Sequence, residues 1–349
     1  MSVFSNIAFD DHERVLFCRD KASGLNAIIA IHSTALGPSA GGARQWCYAS
    51  EDDALYDVLR LAQGMSYKNA MAGLKFGGGK AVIIKPQDGE VSDAMYARFG
   101  DFVESLHGDY ITAEDVGMSP QIMQTIATQT QYVTGLPSEG GKAGGDPSPK
   151  TALGIFGGIN AAVRFKLERE DLHGIRVAVQ GVGNVGYNLC RLLHDAGAKL
   201  TVADIDQAKV QRVCDEFDAT AVGLDDLLRC EVDVLAPCAL GAVFTAETIP
   251  LLNTPIVAGG ANNQLEMPED GQRLADAGIL YAPDYVINGG GIINVACEYM
   301  GDVDDAAVIE LVSKIGPRLA GIFEESRATG RLTNDIADEQ ARRIIAAGP

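Results

Sequence analysis

Two lysines and a pair of carboxylates carry the densest chemistry in this chain. Met65-Ser66-Tyr67-Lys68-Asn69-Ala70 is followed by Gly73-Leu74-Lys75-Phe76-Gly77-Gly78-Gly79-Lys80-Ala81, and later Ile111-Thr112-Ala113 leads into Glu114-Asp115-Val116-Gly117. A phosphate loop of the Walker type needs glycine six positions before its lysine and Ser or Thr after it. Leu74 and Ala81 stand in those places, so the chain offers neither that loop nor a magnesium-binding hydroxyl. A glycine triplet ending in Lys80, just before the apolar run AVII, instead presents bare backbone that something can approach, and the expected visitor is a small ligand. Lysines are seldom buried, and a carboxylate pair before glycine is also an ordinary helix-capping pattern. The five histidines (His12, His32, His107, His173, His194) fall in none of these motifs and are read as structural or exposed.

A second motif gives the lysines a context. The strand-like GIRVAVQ runs into Gly181-Val182-Gly183-Asn184-Val185-Gly186 and then the amphipathic YNLCRLLHDAG. In GxGxxG the first glycine makes the tight turn, the second lets a pyrophosphate approach the backbone, and the third lets helix and strand pack closely. The anion then sits at a helix N-terminus, so even an acidic protein can hold a dianionic cofactor. Asp204 ends the next strand, 23 positions after Gly181, where a carboxylate bonds the adenosine ribose hydroxyls and repels a 2′-phosphate. No Arg or Lys lies between Ala203 and Ala208, so the expected cofactor is NAD rather than NADP. Beside a nicotinamide, Lys80 and Asp115 acquire a purpose, because a reaction that moves hydride must also move protons.

These groups need two scaffolds. RVLFC (14–18) and NAIIAIHS (26–33) read as strands, and residues 51–71 carry helical spacing through Leu55, Val58, Leu59 and Ala62. The passage from Gly135 to Lys150 is dense in Gly, Pro and Ser and is the expected interdomain hinge. Beyond it a helix over about 149–165 precedes RVAVQ, KLTVAD, VDVLAP, PIVAGG and ILYAP, which alternate with amphipathic segments as βαβ units do. The tail reads as two helices, VIELVSKIGPRLAGIFEES and DIADEQARRIIAAG. The expected fold is therefore α/β. A mixed α/β substrate and oligomerisation domain spans 1–135, and a Rossmann-type doubly wound NAD-binding domain spans 136–330, with a cleft between them. The C-terminal helix, about 333–349, is expected to pack back on the first domain.

Composition agrees and excludes other classes. A length of 349 residues suits two domains, and 47% hydrophobic with 21% charged residues is ordinary globular usage. With 28 basic against 47 acidic side chains the net charge is −19, which argues against nucleic acid or anionic lipid as partners. Seven scattered cysteines without a CxxC pair make a disulfide framework or thiolate zinc site improbable, so no metal is expected. With no secretory signal pattern and no clean apolar run of about 18 residues, the expected location is cytoplasmic, away from membranes.

LGPSAGGAR (36–44), MSYKNAMAGLKFGGGKAVI, ITAEDVG, GGDPSPKTALG (144–154), QGVGNVG, LAPCALGA, GGANNQL and VINGGGIINVACE occur in one order along nearly the whole chain. With them the sequence resembles the Glu/Leu/Phe/Val amino acid dehydrogenases, most closely the leucine and phenylalanine dehydrogenase branch. The resemblance implies oxidative deamination of an L-amino acid to a 2-oxo acid and ammonia with reduction of NAD, the reverse amination, and a homo-oligomer. By the same resemblance Lys68 binds the substrate carboxylate, Lys80 is the general base, and Asp115 carries protons. The chemistry is coherent: an ammonium group must lose a proton before hydride leaves Cα, and an amine that is desolvated beside a second cation is neutral at lower pH and so free to take it. Thr151 is then expected at the nicotinamide carboxamide, Asn262 and the backbone around Ala239 at the nicotinamide ribose, and Gly41, Gly42 and Asn288 along the site. The resemblance also implies Ala40, Ala113, Ile292 and Val295 as the walls of an uncharged side-chain pocket, which disfavours glutamate and favours leucine, valine or isoleucine, with phenylalanine as the alternative. Lys75-Phe76, Met71, Met118 and Gly289 depart from the pattern of leucine dehydrogenases. Two further alternatives are a silent NAD-binding sensor on the same fold and a 2-hydroxy acid dehydrogenase, which needs a histidine base that no motif supplies.

Overall fold

A computed structural model describes residues 2–86, 91–136, 145–239, 241–301 and 303–348. The chain divides into two compact units, one of Met1–Gly145, Val295–Asp305 and Gln340–Pro349, the other of Asp146–Asn294 and Ala306–Glu339. Half of the passage expected to act as a hinge, 137–144, lies outside the described residues. Among the described residues no helix is long and apolar enough to cross a membrane.

The first unit runs β1 (Arg14–Asp20), β2 (Leu25–Ser33), β3 (Ser39–Trp46), α1 (Glu51–Ala72), β4 (Gly77–Ile84), α2 (Asp93–Glu104), β5 (Tyr110–Glu114) and α3 (Pro120–Ala127). Its sheet has the order β1-β2-β4-β3-β5, with β3 parallel to both β4 and β5 and the β1-β2 and β2-β4 pairs antiparallel. Alternation along β2 explains the layers. Leu25, Ala27, Ile29 and Ile31 pack with Met95, Phe99 and Met123 of α2 and α3, while Ile28 and Ala30 meet Leu55, Val58, Leu59 and Ala62 of α1. A strand covered on both faces reads as an uninterrupted apolar run, as NAIIAI does. Ser50 starts α1 by accepting the Asp53 N–H at 3.1 Å, three acidic residues fill its first turn, and Gly73 ends it with a left-handed φ of 72°.

The glycine triplet has a different occupant from the one its sequence suggests. A Cβ on Gly77 falls 1.9 Å from the Ser33 carbonyl oxygen, one on Gly78 2.0 Å from the Ser66 nitrogen, and one on Gly79 2.8 Å from the Tyr110 ring. What approaches the bare backbone is the protein itself, and at Gly78 it is α1. The triplet lets that helix lie directly on β4, so the helix that bears Lys68 packs on the strand that bears Lys80.

Behind α1 two histidines are sealed in. His12 Nε2 donates to the Leu59 carbonyl at 2.9 Å and its Nδ1 accepts the Asp10 N–H at 3.2 Å, so the neutral ring satisfies both partners. The rings of His12 and His32 meet edge to face at 4.9 Å, and Ser66 Oγ lies 2.8 Å from His32 Nδ1. Burial pushes His12 down to about 4, against the pull of the Leu59 carbonyl. A histidine held below its unfolded value contributes stability that is present above about pH 6.5 and is lost as pH falls toward 4, at most about 3 kcal/mol. The unfolding midpoint in urea should therefore drop across that window, and His12→Gln should flatten the slope. An unchanged slope in the variant would assign the acid sensitivity elsewhere.

The second unit contains α4 (Ser148–Leu167), β6 (Arg176–Gln180), α5 (Asn184–Asp195), β7 (Lys199–Ala203), α6 (Gln207–Phe217), β8 (Thr220–Ala221), α7 (Leu224–Leu227), β9 (Val234–Pro237), β10 (Ile256–Val257), α8 (Glu269–Asp276), β11 (Leu280–Tyr281) and α9 (Asp284–Ile287). After these come α10 (Gly290–Met300), α11 (Asp305–Ser313), α12 (Ile315–Thr329) and α13 (Thr333–Ala347), and unit boundaries fall within α10, after the first residue of α11, and within α13. The sheet is parallel throughout, in the order β11-β10-β9-β6-β7-β8, so the chain winds outward in both directions from β6. This is the doubly wound arrangement, with its switch point between β6 and β9. Two features depart from the sequence reading. The stretch VIELVSKIGPRLAGIFEES forms two helices, because Pro317 denies the backbone of α11 a donor and crowds its last turn. Residues 295–305 cluster with the first unit, not the second.

Candidate active site

In the first unit β4 and β5 deliver the two central groups. Lys80, 6% exposed, extends its Nζ to 2.6 Å from Asp115 Oδ2. Asp115 stands just past the end of β5. Its carboxylate is not spent on a helix cap, since Ser119 Oγ accepts the Ile122 N–H and starts α3 instead. Gly117, with φ of 81°, turns the chain against the Gln45 carbonyl, and Gln45 N–H bonds Val116, which pins the Asp115 loop to β3. Burial raises the Asp115 carboxyl, but the Lys80 ammonium and the Arg44 guanidinium reverse this and hold it below the ordinary carboxylate value. Arg44 Nε lies 3.3 Å from the same Oδ2. Sequence reasoning passed over Arg44, although it closes the LGPSAGGAR motif.

The glycines expected along the site also serve packing. A Cβ on Gly41 would meet the Gly79 carbonyl at 1.9 Å, and one on Gly42 the Asp115 Cβ at 2.8 Å. Gly42 pairs with Ala113 across β3 and β5, two residues before Asp115, and Ala40 lies opposite Gly78 on β4, two residues before Lys80. Lys68 is half-buried on α1, two residues beyond the Ser66 contact with Gly78. Val295 belongs to this unit, while Ile292, three residues earlier on α10, belongs to the other. His32 reaches the lysine motif as a partner of Ser66 and through an edge-to-face contact with the Tyr67 ring at 6.2 Å, and no histidine bonds Lys80 or Asp115 among the described residues. Of the departing residues, Met71 and Met118 are buried core, and Phe76 meets the Tyr299 ring edge to face at 6.0 Å.

The second unit gathers the cofactor candidates at its switch point. Gly181, with φ of 89°, presses against Ala239, whose nitrogen a Cβ would meet at 2.8 Å, so the turns after β6 and β9 touch. A Cβ on Gly186 would strike the Gly181 carbonyl at 1.9 Å, whereas one on Gly183 meets nothing within 4 Å. The first and third glycines are thus consumed by packing, and the second leaves open space at the N-terminus of α5, which Asn184 and Val185 begin. Asp204 accepts the Val182 N–H at 2.7 Å through Oδ2 and the Asp206 N–H at 2.9 Å through Oδ1. It therefore anchors the glycine loop itself, a role its position alone did not reveal. Asn288 Nδ2 donates to Asn262 Oδ1 at 2.7 Å and to the Gly260 carbonyl at 3.1 Å, while its own Oδ1 is buried without a partner. Thr151, which donates to the Pro147 carbonyl, lies at the glycine-rich start of α10, where a Cβ on Gly291 would fall 2.7 Å from its Oγ1. An open glycine at a helix N-terminus, a carboxylate at the next strand end and an unmet amide oxygen fit a dinucleotide. Among the described residues no cluster of side chains could hold a metal ion.

Parts of this kind belong to dinucleotide-linked oxidoreductases. Comparison with known proteins narrows the class. Residues 12–132 match the family model described as Glu/Leu/Phe/Val dehydrogenase, dimerisation domain, and residues 140–210 and 201–315 match that of Glutamate/Leucine/Phenylalanine/Valine dehydrogenase. The leucine dehydrogenase of Geobacillus stearothermophilus is 48% identical over 345 residues, covering 99% of this chain and 94% of that enzyme. The valine dehydrogenase of Streptomyces virginiae is 44% identical, covering 95% of this chain and 93% of its own. The crystal structure of L-tryptophan dehydrogenase from Nostoc punctiforme superimposes with a TM-score of 0.86 at 45% identity, covering 96% of each chain. The chain belongs to the Glu/Leu/Phe/Val dehydrogenase family and is an amino acid dehydrogenase, an oxidoreductase.

Proposed function

We propose that the protein catalyses NAD-dependent oxidative deamination of apolar L-amino acids, with leucine, valine and isoleucine preferred, to the 2-oxo acid and ammonia, and the reverse amination. The observation that carries this reading is the buried 2.6 Å pair of Lys80 and Asp115. A lysine with a carboxylate as its immediate proton partner can take a proton from a substrate ammonium and pass it on, then repeat the exchange with an attacking water. Bound NAD would supply the acceptor for the hydride that leaves Cα. In this scheme Lys68 holds the substrate carboxylate, which fixes Cα. Gly181, Gly183, Asn184, Val185 and Gly186 receive the pyrophosphate, Asp204 the adenosine ribose, and Thr151, Ala239, Asn262 and Asn288 the nicotinamide end. The match of the first unit to a dimerisation domain supports a homo-oligomer.

None of Ala40, Ala113, Ile292 and Val295, the residues expected to meet the substrate side chain, carries a cation to receive a second carboxylate. Differences of a methylene or two are worth about 1–3 kcal/mol each, so the apolar substrates should separate by roughly 10- to 200-fold in kcat/KM. In an NADH absorbance assay at alkaline pH, leucine, valine and isoleucine should lead, phenylalanine and tryptophan trail, and glutamate, lactate and malate give no turnover. Phenylalanine in the lead would move the protein to the aromatic branch. Silence with every L-amino acid, while NAD still binds, would make it a sensor.

A further inference from the structure

Asp115 Oδ2 is shared by two cations, Lys80 Nζ at 2.6 Å and Arg44 Nε at 3.3 Å, and only one of them can change its charge. An arginine stays protonated at every working pH, whereas a lysine that serves as base must spend part of the cycle neutral. When Lys80 is neutral, a buried carboxylate with no other counter-ion would draw a proton to itself and leave the relay blocked. Arg44 is itself held in place. Its Nη1 binds Asp57 Oδ2 at 3.0 Å, the Tyr48 hydroxyl donates to the same oxygen at 2.8 Å, and Arg60 Nη2 holds Asp57 Oδ1 at 2.9 Å. Asp57 lies on α1, about three helical turns before Lys68. The guanidinium is therefore tied at one edge to the helix bearing the expected carboxylate binder and at the other to the expected proton carrier.

We infer that Arg44, locked by Asp57, is a positioning residue of the reaction: it fixes the Asp115 carboxylate toward Lys80 and keeps it ionised through the steps in which Lys80 has no charge. This rests on the roles proposed above for Lys80 and Asp115. The titratable and charged groups around Asp115 are Lys80 on β4, Arg44 on β3, Tyr110 on β5, and the Tyr48 and Asp57 pair beyond Arg44.

The test compares Arg44→Gln, Arg44→Lys, Asp57→Asn and Asp115→Asn for kcat, KM and the pH dependence of kcat with leucine and NAD. Removing the fixed cation should raise the carboxyl, so the acid limb of kcat in Arg44→Gln should move upward by about one pH unit or more. Its kcat at neutral pH should fall by at least about tenfold while the KM for NAD stays within about twofold. Arg44→Lys, which keeps a charge but loses the fork, should restore the acid limb more than the rate. Asp57→Asn should shift the limb in the same direction by less, and the Arg44→Gln/Asp57→Asn double variant should match Arg44→Gln alone. A folded Arg44→Gln or Asp57→Asn with an unmoved acid limb, alongside an inactive Asp115→Asn, overturns the inference and leaves the reading of Asp115 intact. An Asp115→Asn enzyme as active as the parent overturns that reading itself. If Arg44→Gln does not fold, Arg44→Lys and Asp57→Asn decide by the same limb.

Discussion

Lys80→Ala should lower kcat by about 10²- to 10⁴-fold, the range that positioned acid–base groups contribute, while the affinity for NADH, read by fluorescence titration, stays near that of the parent. The separation follows from the fold. Lys80 sits in the middle of β4, with Ala30 opposite it on β2, in a sheet that belongs wholly to the first unit, whereas the glycine loop and Asp204 belong to the second. The truncated side chain removes one of two cations from Asp115, and Arg44 at 3.3 Å remains to neutralise the buried carboxylate. The variant should therefore stay folded where an isolated buried anion would not be tolerated. Small primary amines added to the assay should recover part of the lost rate, because they replace the missing base but not a missing structural contact. A Lys80→Ala enzyme within about tenfold of the parent would remove Lys80 from acid–base chemistry altogether.

The fold was legible where one physical cause dominated each segment. β2 showed itself because burial on both faces demands an unbroken apolar run, and GxGxxG because the tight turn, the approach of an anion to the backbone and the packing of helix on strand each require one of its glycines. The glycine triplet before Lys80 was harder. Its sequence says only that something comes close, and the visitor could be ligand or protein; the 2.0 Å between a Gly78 Cβ and the Ser66 nitrogen gives the answer as α1. Arg44 and Asp57 were hidden for another reason. They are 13 residues apart in different elements, and only the pairing of β3 with β4 and β5, with α1 laid over them, brings their charges to Asp115. The break in VIELVSKIGPRLAGIFEES was visible as Pro317, but its helical periodicity outweighed one residue.

For Asp204 the structure alters the experiment that its position in the sequence suggested. The carboxylate faces two demands: repulsion of a 2′-phosphate, which needs its charge, and anchorage of Val182 and Asp206, which needs only acceptor oxygens. Asp204→Asn loses the charge but keeps one acceptor, enough to hold the Val182 N–H while the Asp206 N–H loses its partner, so discrimination should relax with less harm to the loop than truncation to alanine causes. The ratio of kcat/KM for NAD over NADP should fall by about tenfold or more, mostly through a lower KM for NADP, in proportion to roughly 1.4 kcal/mol of repulsion removed. Asp204→Ala loses both functions, and the freed Val182 N–H loosens the turn that shapes the pyrophosphate gap. Its KM for NAD should rise by a further factor of about ten, as expected for a buried donor left unpaired. Neither variant should move the acid limb of kcat, which the proposed scheme assigns to Asp115 and its two cations in the first unit. If Asp204→Asn discriminates against NADP as strongly as the parent, the selectivity lies in the shape of the pocket around the adenosine ribose, and Asp204 is a loop anchor alone.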